Sequence, residues 1–183
     1  MTKLILALCA SMRVFSGCNT ESEEPNRLPA PGQYLNALVG LEILFPATWQ
    51  AKLDQKLNGN TKADLQLVGE PINGFAPNLS VVIISPHQGT TNLDSLLKDS
   101  HEGLLNAFPS LSGYRDTVSA RDGKDVASLE YEVNASGVLL HFAQYIFINN
   151  KRDVIMTFSD RADHFLVNTE IQGIRDAFSI TPK

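Results

Sequence analysis

Cysteine is scarce in this sequence. The chain has two cysteines, Cys9 and Cys18, and none in residues 19–183. A segment without cysteine can contain neither a disulfide framework, nor a cysteine-ligated zinc site, nor a thiol nucleophile. We therefore expect the folded part of the chain to be held together by its hydrophobic core alone.

Long apolar runs and an excess of basic residues are also absent. Beyond the N-terminal region, no run approaches the roughly 20 apolar residues that a membrane-spanning helix needs. The 183 residues include 15 basic and 20 acidic ones, and without residues 1–18 the charge is 13 − 20 = −7. Most of the affinity of a protein for nucleic acid comes from Lys and Arg side chains that neutralise the phosphates. Because this chain is acidic and has no stripe of basic residues, we expect that it has no nucleic-acid partner.

Catalytic motifs are missing as well. There is no Gly-x-Ser-x-Gly elbow, Walker phosphate loop or dinucleotide fingerprint. His101-Glu102 begins like the His-Glu-x-x-His zinc motif, but Leu105 replaces the second histidine. The segment Asp54–Gly59 is a poor match to a calcium loop, because Lys56 takes the place of an oxygen ligand. We predict no catalytic, cofactor-binding or metal-ligating residue and no cofactor, and expect that the protein is not an enzyme.

The histidines and aromatic residues are scattered. His87 follows a strand, His141 lies in a central strand and His164 opens the last helix, and all three are expected at the surface. His101 is expected at the edge of the apolar face of a helix. The large aromatics are predicted to be core or rim residues rather than a ligand cage; they are Trp49, Tyr114, Tyr131 and Tyr145.

Two further segments are singled out. Lys151-Arg152 is predicted to be a solvated pair at a turn. The loop Gly69–Asn78 is rich in Gly and Pro and contains Phe75. This Phe either forms an exposed contact or folds back onto the sheet, and the sequence leaves both open.

The N-terminus is the most informative segment. Lys3 is followed by an apolar run, and small residues precede Cys18, which is the layout of a secretory signal. The ending Ser-Gly-Cys resembles a bacterial lipobox, although Arg13 and Phe15 depart from the usual pattern. The resemblance implies that residues 1–18 form a lipoprotein signal and that Cys18 is the lipidation site. A signal cut elsewhere and a wrongly assigned start are the alternatives.

Lipidation implies a location. Two or three acyl chains, palmitate among them, hold a protein firmly at a membrane. By resemblance to Gram-negative lipoproteins, Asn19 in place of Asp favours the outer membrane facing the periplasm over the inner membrane. Residues 19–37, which are acidic and rich in proline, are predicted to be a flexible tether, and an ordered first strand is the alternative. Residues 38–183 are then one globular domain.

The globular part contains segments with the pattern of β-strands and segments with the pattern of α-helices. Strands are predicted at Gly40–Phe45, 65–68 and 79–85, and a helix at 92–108 with Asn92 as its N-cap and Pro109 after its end. Residues 114–159 form a predicted antiparallel meander with turns at Asp122-Gly123, Ser136-Gly137 and Asn149-Asn150, and Glu130 and Glu132 lie on its wet face. Asp160 or Asp163 is expected to cap a last helix whose apolar stripe is Val167, Ile171, Ile174 and Phe178.

This order of elements resembles the PsbP-like superfamily, and DcrB-like bacterial lipoproteins within it. The matching segments are Phe45-Pro46-Ala47-Thr48-Trp49, 78–81, 122–124, 127–131 and 176–179. The resemblance implies an α+β fold, a mainly antiparallel sheet packed by helices in a PsbP-like α/β/α sandwich. It also implies a non-catalytic binding or assembly role, since most members have one.

The function predicted first is that of a membrane-anchored, non-catalytic envelope module. Its partners are the membrane, through the lipid anchor, and an unidentified envelope protein. A small-ligand or metal-binding envelope protein is the alternative, and a hydrolase with a scattered site is the least favoured.

Overall fold

The computed structural model describes residues 26–56, 62–84 and 92–181. The strands are β1 (Asn26–Ala30), β2 (Gln33–Asn36), β3 (Leu41–Leu44), β4 (Gln50–Lys56), β5 (Lys62–Val68), β6 (Asn78–Ile84), β7 (Ser112–Arg121), β8 (Lys124–Ala135), β9 (Val138–Asn149), β10 (Arg152–Arg161) and β11 (Ser179–Ile180). The helices are α1 (Leu93–Ala107), α2 (Ala162–Phe165) and α3 (Thr169–Ala177). The α+β prediction is confirmed.

The strands form two antiparallel sheets. The larger sheet has the order β4-β5-β6-β10-β9-β8-β7, and the smaller one has the order β1-β2-β3-β11. Two-residue turns join β7 to β8, β8 to β9 and β9 to β10. Both residues of each turn have positive φ, as type I′ hairpins require. The third turn is Asn150-Lys151, one residue later than predicted.

The large sheet is covered on both faces, as expected for the meander. One face packs with β2, β3, α2 and α3 in a cluster that includes Tyr34, Phe147 and Phe165. The other face packs with α1 through Leu96 and Leu104. Burial along β9 is nearly continuous because its two sets of alternating side chains belong to different clusters.

Side-chain caps define where the two longer helices begin. Asn92 accepts a hydrogen bond from the backbone N–H of Ser95 at 2.8 Å, which confirms the predicted cap of α1. Asn168 caps α3 by accepting from the N–H groups of Glu170 and Ile171 at 3.1 and 3.2 Å. The prediction of Asp160 or Asp163 as the cap is wrong, since a short helix, α2, and a connector intervene.

The predicted apolar stripe of the last helix is correct only in part. Ile171, Ile174 and Phe178 are buried, whereas Val167 is 70% exposed. Val167 lies in the connector between α2 and α3, where its backbone N–H bonds to the carbonyl of His164. The helical period does not continue through this connector.

The tether predicted for residues 19–37 differs most from the structure. Residues 26–30 and 33–36 form an antiparallel pair, β1 and β2, and Tyr34 is fully buried. Asn26 is also buried, and its side chain donates to the carbonyl of Asp64 at 2.7 Å. From residue 26 onward, the alternative of an ordered first strand therefore holds. Residues 1–25 lie outside the described part of the chain.

Candidate functional site

Some of the residues singled out by the sequence lie outside the described part of the chain. They are Cys18, His87 and part of the segment Asp54–Gly59. Among the described residues, no helix is both long and apolar enough to cross a bilayer. In the same residues, no group of three or more His, Cys, Asp or Glu side chains is arranged to hold a metal ion.

Two of the histidines belong to a row of polar side chains where α2 and α3 cover the large sheet. We call it the polar row, and its members are Glu130, Glu132, His141, Asp160 and His164. His141 on β9 pairs directly across the sheet with Glu132 on one side and with Asp160 on the other. Its Nδ1 lies 3.5 Å from a Glu132 oxygen, and its ring packs 4.3 Å from that of Phe165. The residue is only 6% exposed, so the prediction that His141 is a surface histidine is wrong.

Asp160 is the other buried member of the row. One of its oxygens lies 2.6 Å from His164 Nδ1 and also accepts from the Asn168 side chain at 2.9 Å. This contact resembles the Asp–His pair of a hydrolase, in which an acid orients a histidine. Within the described residues, however, no Ser, Thr or Cys side chain hydrogen-bonds to His141 or His164. The contacts instead connect the end of β10 to α2 and to the cap of α3.

Glu130 is the centre of the charged part of the row. It accepts from Arg175 Nη2 at 2.7 Å and from Arg115 Nε at 2.9 Å. Burial raises the pKa of Glu130, but the hydrogen bond from Arg115 and the charges of both arginines outweigh it and hold the pKa below its usual value. Arg175 also donates to the Tyr145 hydroxyl at 2.8 Å. This network fixes α3 against β8 and β9.

Sequence reasoning missed this network for an identifiable reason. Glu130 and Glu132 alternate with buried apolar residues, a pattern typical of a wet face. The face is in fact covered by α2 and α3, so these side chains are only 17% and 33% exposed. The signal that could have revealed it is Arg175, a base in the last helix positioned to face the acids.

The large aromatics are core or rim residues, as predicted. Trp49 is buried and donates from Nε1 to Glu170 at 2.8 Å, while Tyr131 is buried against Phe142. Tyr114 stacks on His101 with ring centroids 3.9 Å apart. Tyr145 forms part of the network described above.

The loop Gly69–Asn78 folds back onto the protein. Phe75 is partly buried against the cluster that contains α1, and it bridges to Ile72. Of the two possibilities that the sequence left open for Phe75, the structure shows the packed one.

The outer strand of the large sheet, β7, is exposed along most of its length. β7 is ten residues long and pairs only with β8 among the described strands. Its residues Thr117, Val118, Ser119 and Ala120 are all exposed and uncharged, and Val118 is 47% exposed. Strand edges present unpaired N–H and C=O groups to any extended segment that approaches them.

The other described sheet edges carry features that discourage such pairing. β1 contains Pro29, and β11 has two residues. β4 carries Lys52 and Lys56, and Asp54 has a positive φ and interrupts its ladder. A proline, a lysine, an irregular ladder or a very short strand each makes it harder for another chain to pair with a sheet edge. In β7, a bulge between Ser112 and Arg115 protects one end, and residues 117–120 have no such feature.

A depression of about 360 Å³ lies at one end of the same face as α1. It is lined by Leu93, Ile148 and the β7–β8 turn residues Gly123, Lys124 and Asp125. Its two charged lining residues, Lys124 and Asp125, have opposite signs.

Comparisons with known proteins identify the architecture. No family model matches the chain, and no curated protein matches it in sequence. Cyanobacterial PsbP (CyanoP) from Synechocystis sp. PCC 6803 has a similar structure, with a TM-score of 0.62, 18% identity and coverage of 91% of this chain and 98% of that one.

Two further solved structures are similar. LpqN from Mycobacterium tuberculosis, described as involved in cell envelope biogenesis, has a TM-score of 0.54 and 14% identity over 78% of this chain and 83% of its own. PA94 from Pseudomonas aeruginosa, a protein of unknown function described as a putative regulator, has a TM-score of 0.52 and 12% identity over 78% and 91%. This chain therefore has a PsbP-like α+β fold.

Proposed function

We propose that this chain is a lipid-anchored protein of the bacterial cell envelope, similar to DcrB-like lipoproteins, whose PsbP-like domain is a non-catalytic binding or assembly module. The anchor is Cys18, and the location is the periplasmic face of the outer membrane. The lipobox-like N-terminus supports the anchor. The involvement of the structurally similar LpqN in cell envelope biogenesis supports a location in the envelope.

The observation that carries the binding role is the exposed edge of β7. Residues 117–120 combine an edge that pairs with no second strand of the described chain with small or β-branched side chains, and they lie on a strand already ordered by β8. An extended segment of an envelope protein can add to such an edge, with main-chain hydrogen bonds giving affinity and side-chain contacts giving selectivity.

The contacts of the ionisable groups favour binding over catalysis. The carboxylates of Glu130 and Asp160 and the side chain of Arg175 are all engaged in contacts between secondary-structure elements. Groups held in this way position helices and are poorly placed to exchange protons with a substrate.

Site-specific photocrosslinking tests the binding role. A photoreactive residue is placed at Val118 in the lipidated protein in cells, and a matched probe is placed at Leu105, which is 50% exposed on α1. We expect a crosslinked envelope protein from position 118 and not from position 105. We also expect Val118→Lys to weaken capture of this partner in a pull-down, because a charge at the centre of the edge opposes strand addition.

The control for this substitution is Val167→Lys, which adds the same charge at another exposed valine. Equal crosslinking from positions 118 and 105, or recovery of only the monomer where a control envelope complex is captured, would contradict the binding role.

A further inference from the structure

The structure restricts how far the domain can lie from a membrane to which Cys18 is attached. Seven residues, 19–25, separate Cys18 from Asn26, and Asn26 already belongs to β1. A chain spans at most about 3.6 Å per residue, so the start of β1 lies within about 29 Å of the lipidated cysteine. A tether over residues 19–37 would have allowed about 70 Å.

Asn26, where the linker ends, lies at one end of the large sheet. Its side chain bonds to the carbonyl of Asp64, two residues after β5 begins at Lys62. At the same end of the large sheet, β6 ends, and the turn from β9 to β10 at Asn150-Lys151 lies there as well. The Asn150 side chain donates to the carbonyl of Leu38, which joins this turn to the small sheet.

This end of the domain is basic although the chain as a whole is acidic. We call it the basic end and define it by five residues, Arg27, Lys56, Lys62, Lys151 and Arg152.

The acids close to the basic end offset it only in part. Asp54 pairs with Lys62 at 2.6 Å, Asp64 is partly buried and Asp153 is buried. The β7–β8 turn lies at the same end and adds the exposed acids Asp122 and Asp125 together with Arg121 and Lys124, so this end has seven basic and five acidic residues in all. Lys56 lies directly opposite Lys62 across the β4–β5 ladder. Like charges in such positions destabilise a sheet, whereas a nearby anionic surface would stabilise both.

The opposite end of the sheet is acidic. There, Glu70, Asp163 and Glu170 are exposed, and Arg161 is paired with Asp163 at 2.8 Å. The domain therefore has an electrostatic polarity along its strands, with its basic end beside the attachment point of the anchor.

We propose that the basic end is a membrane-docking surface that contacts anionic phospholipid headgroups. This inference rests on the proposed anchor at Cys18. Each Lys or Arg near an anionic bilayer strengthens binding by about fivefold, and the linker is long enough for these residues to come within the Debye length of about 8 Å over which that attraction acts. Docking by this end fixes the orientation of the domain and leaves the edge of β7 accessible along its length.

Residue-specific quenching in vesicles tests the orientation. The mature lipidated protein is reconstituted in vesicles with 30% phosphatidylglycerol and a quencher on the lipid headgroups. Because residues 19–183 contain no cysteine, a fluorophore can be placed singly at Asn150→Cys or Ser136→Cys. Both residues open two-residue turns with positive φ, and they lie beyond opposite ends of β9, whose 12 residues span about 37 Å.

We expect strong quenching at position 150, weak quenching at 136, and a smaller difference in phosphatidylcholine vesicles or at high salt. Reversing the charges of Lys56, Lys151 and Arg152 to Glu should reduce quenching at 150 at least severalfold, while Lys98→Glu on α1 should not. Equal quenching of the two probes in anionic vesicles, with the protein anchored, would overturn the docking proposal alone. A processed chain that carries no lipid and does not attach to vesicles would overturn the proposed anchor and, with it, the docking proposal.

Discussion

Removing the carboxylate of Glu130 tests whether the polar row under α2 and α3 stabilises the fold. The two arms of the network differ in burial. Arg175 is 14% exposed and Arg115 is 66% exposed. A hydrogen bond to a partly buried charge contributes about 1.5–3 kcal/mol, whereas an exposed ion pair contributes about 0–1 kcal/mol. We expect Glu130→Gln to lower the free energy of unfolding by about 2 kcal/mol, mostly through Arg175.

Double-mutant cycles separate the two arms. Urea unfolding is measured for Glu130→Gln, Arg175→Gln and Arg115→Gln and for the two double variants, all in a Cys18→Ser background. The coupling energy with Arg175 should reach about 1.5 kcal/mol, and the coupling with Arg115 should stay below about 1 kcal/mol.

The Glu130–Arg175 coupling should also depend on pH. The pKa of Glu130 is below its usual value in the fold, so the unfolded state binds more protons on this group as pH falls. The stabilisation is fully present above the ordinary glutamate pKa of about 4.3 and is lost as pH falls through the lower folded value. Couplings that are equal for the two arginines, or a coupling to Arg175 that is as large at the lowest pH as at pH 7, would refute this reasoning.

Two further predictions concern single positions. Gly40 has φ +59°, and a Cβ added there would clash with the carbonyl oxygen of Thr181, whereas no atom lies within 4 Å of a Cβ at the control position Gly74. In thermal unfolding, Gly74→Ala should cost only the ~1–2 kcal/mol of left-handed strain, and Gly40→Ala should cost well over that. Equal losses of stability for the two variants would contradict the clash. Burial raises the pKa of Asp64, which accepts from the Ile83 N–H. The wild type should therefore lose stability relative to Asp64→Asn as pH rises from the ordinary aspartate pKa of about 3.9 through the higher folded value, and a constant difference between pH 3 and 6 would contradict it.

Local signals predicted the meander, and they did so for physical reasons. Asp122-Gly123 and Ser136-Gly137 each place a glycine at a position with positive φ. Glycine adopts this conformation without strain, so the two residues alone are enough to predict the turn. At the third turn, Lys151 takes that position without any preference for it, and the boundary predicted from sequence is displaced by one residue.

Tertiary contacts determined the features that the sequence did not reveal. β1 and β2 have the composition of a linker, and they are ordered by pairing with each other and by Tyr34 inserting into the core. Burial of His141 and Glu130 depends on α2 and α3 returning over the sheet, which no local pattern encodes. The sequence could likewise not show that β7 would be an outer strand, since strand order is a property of the assembled sheet.

Mass spectrometry of the protein isolated from bacterial membranes tests the central claim most directly. The claim is that a PsbP-like domain is held close to a membrane by a lipid on Cys18. The predicted result is a mature chain that begins at Cys18 and carries a diacylglyceryl modification on that residue. A chain that retains an unmodified Met1, or one recovered without lipid from the soluble fraction, would contradict it.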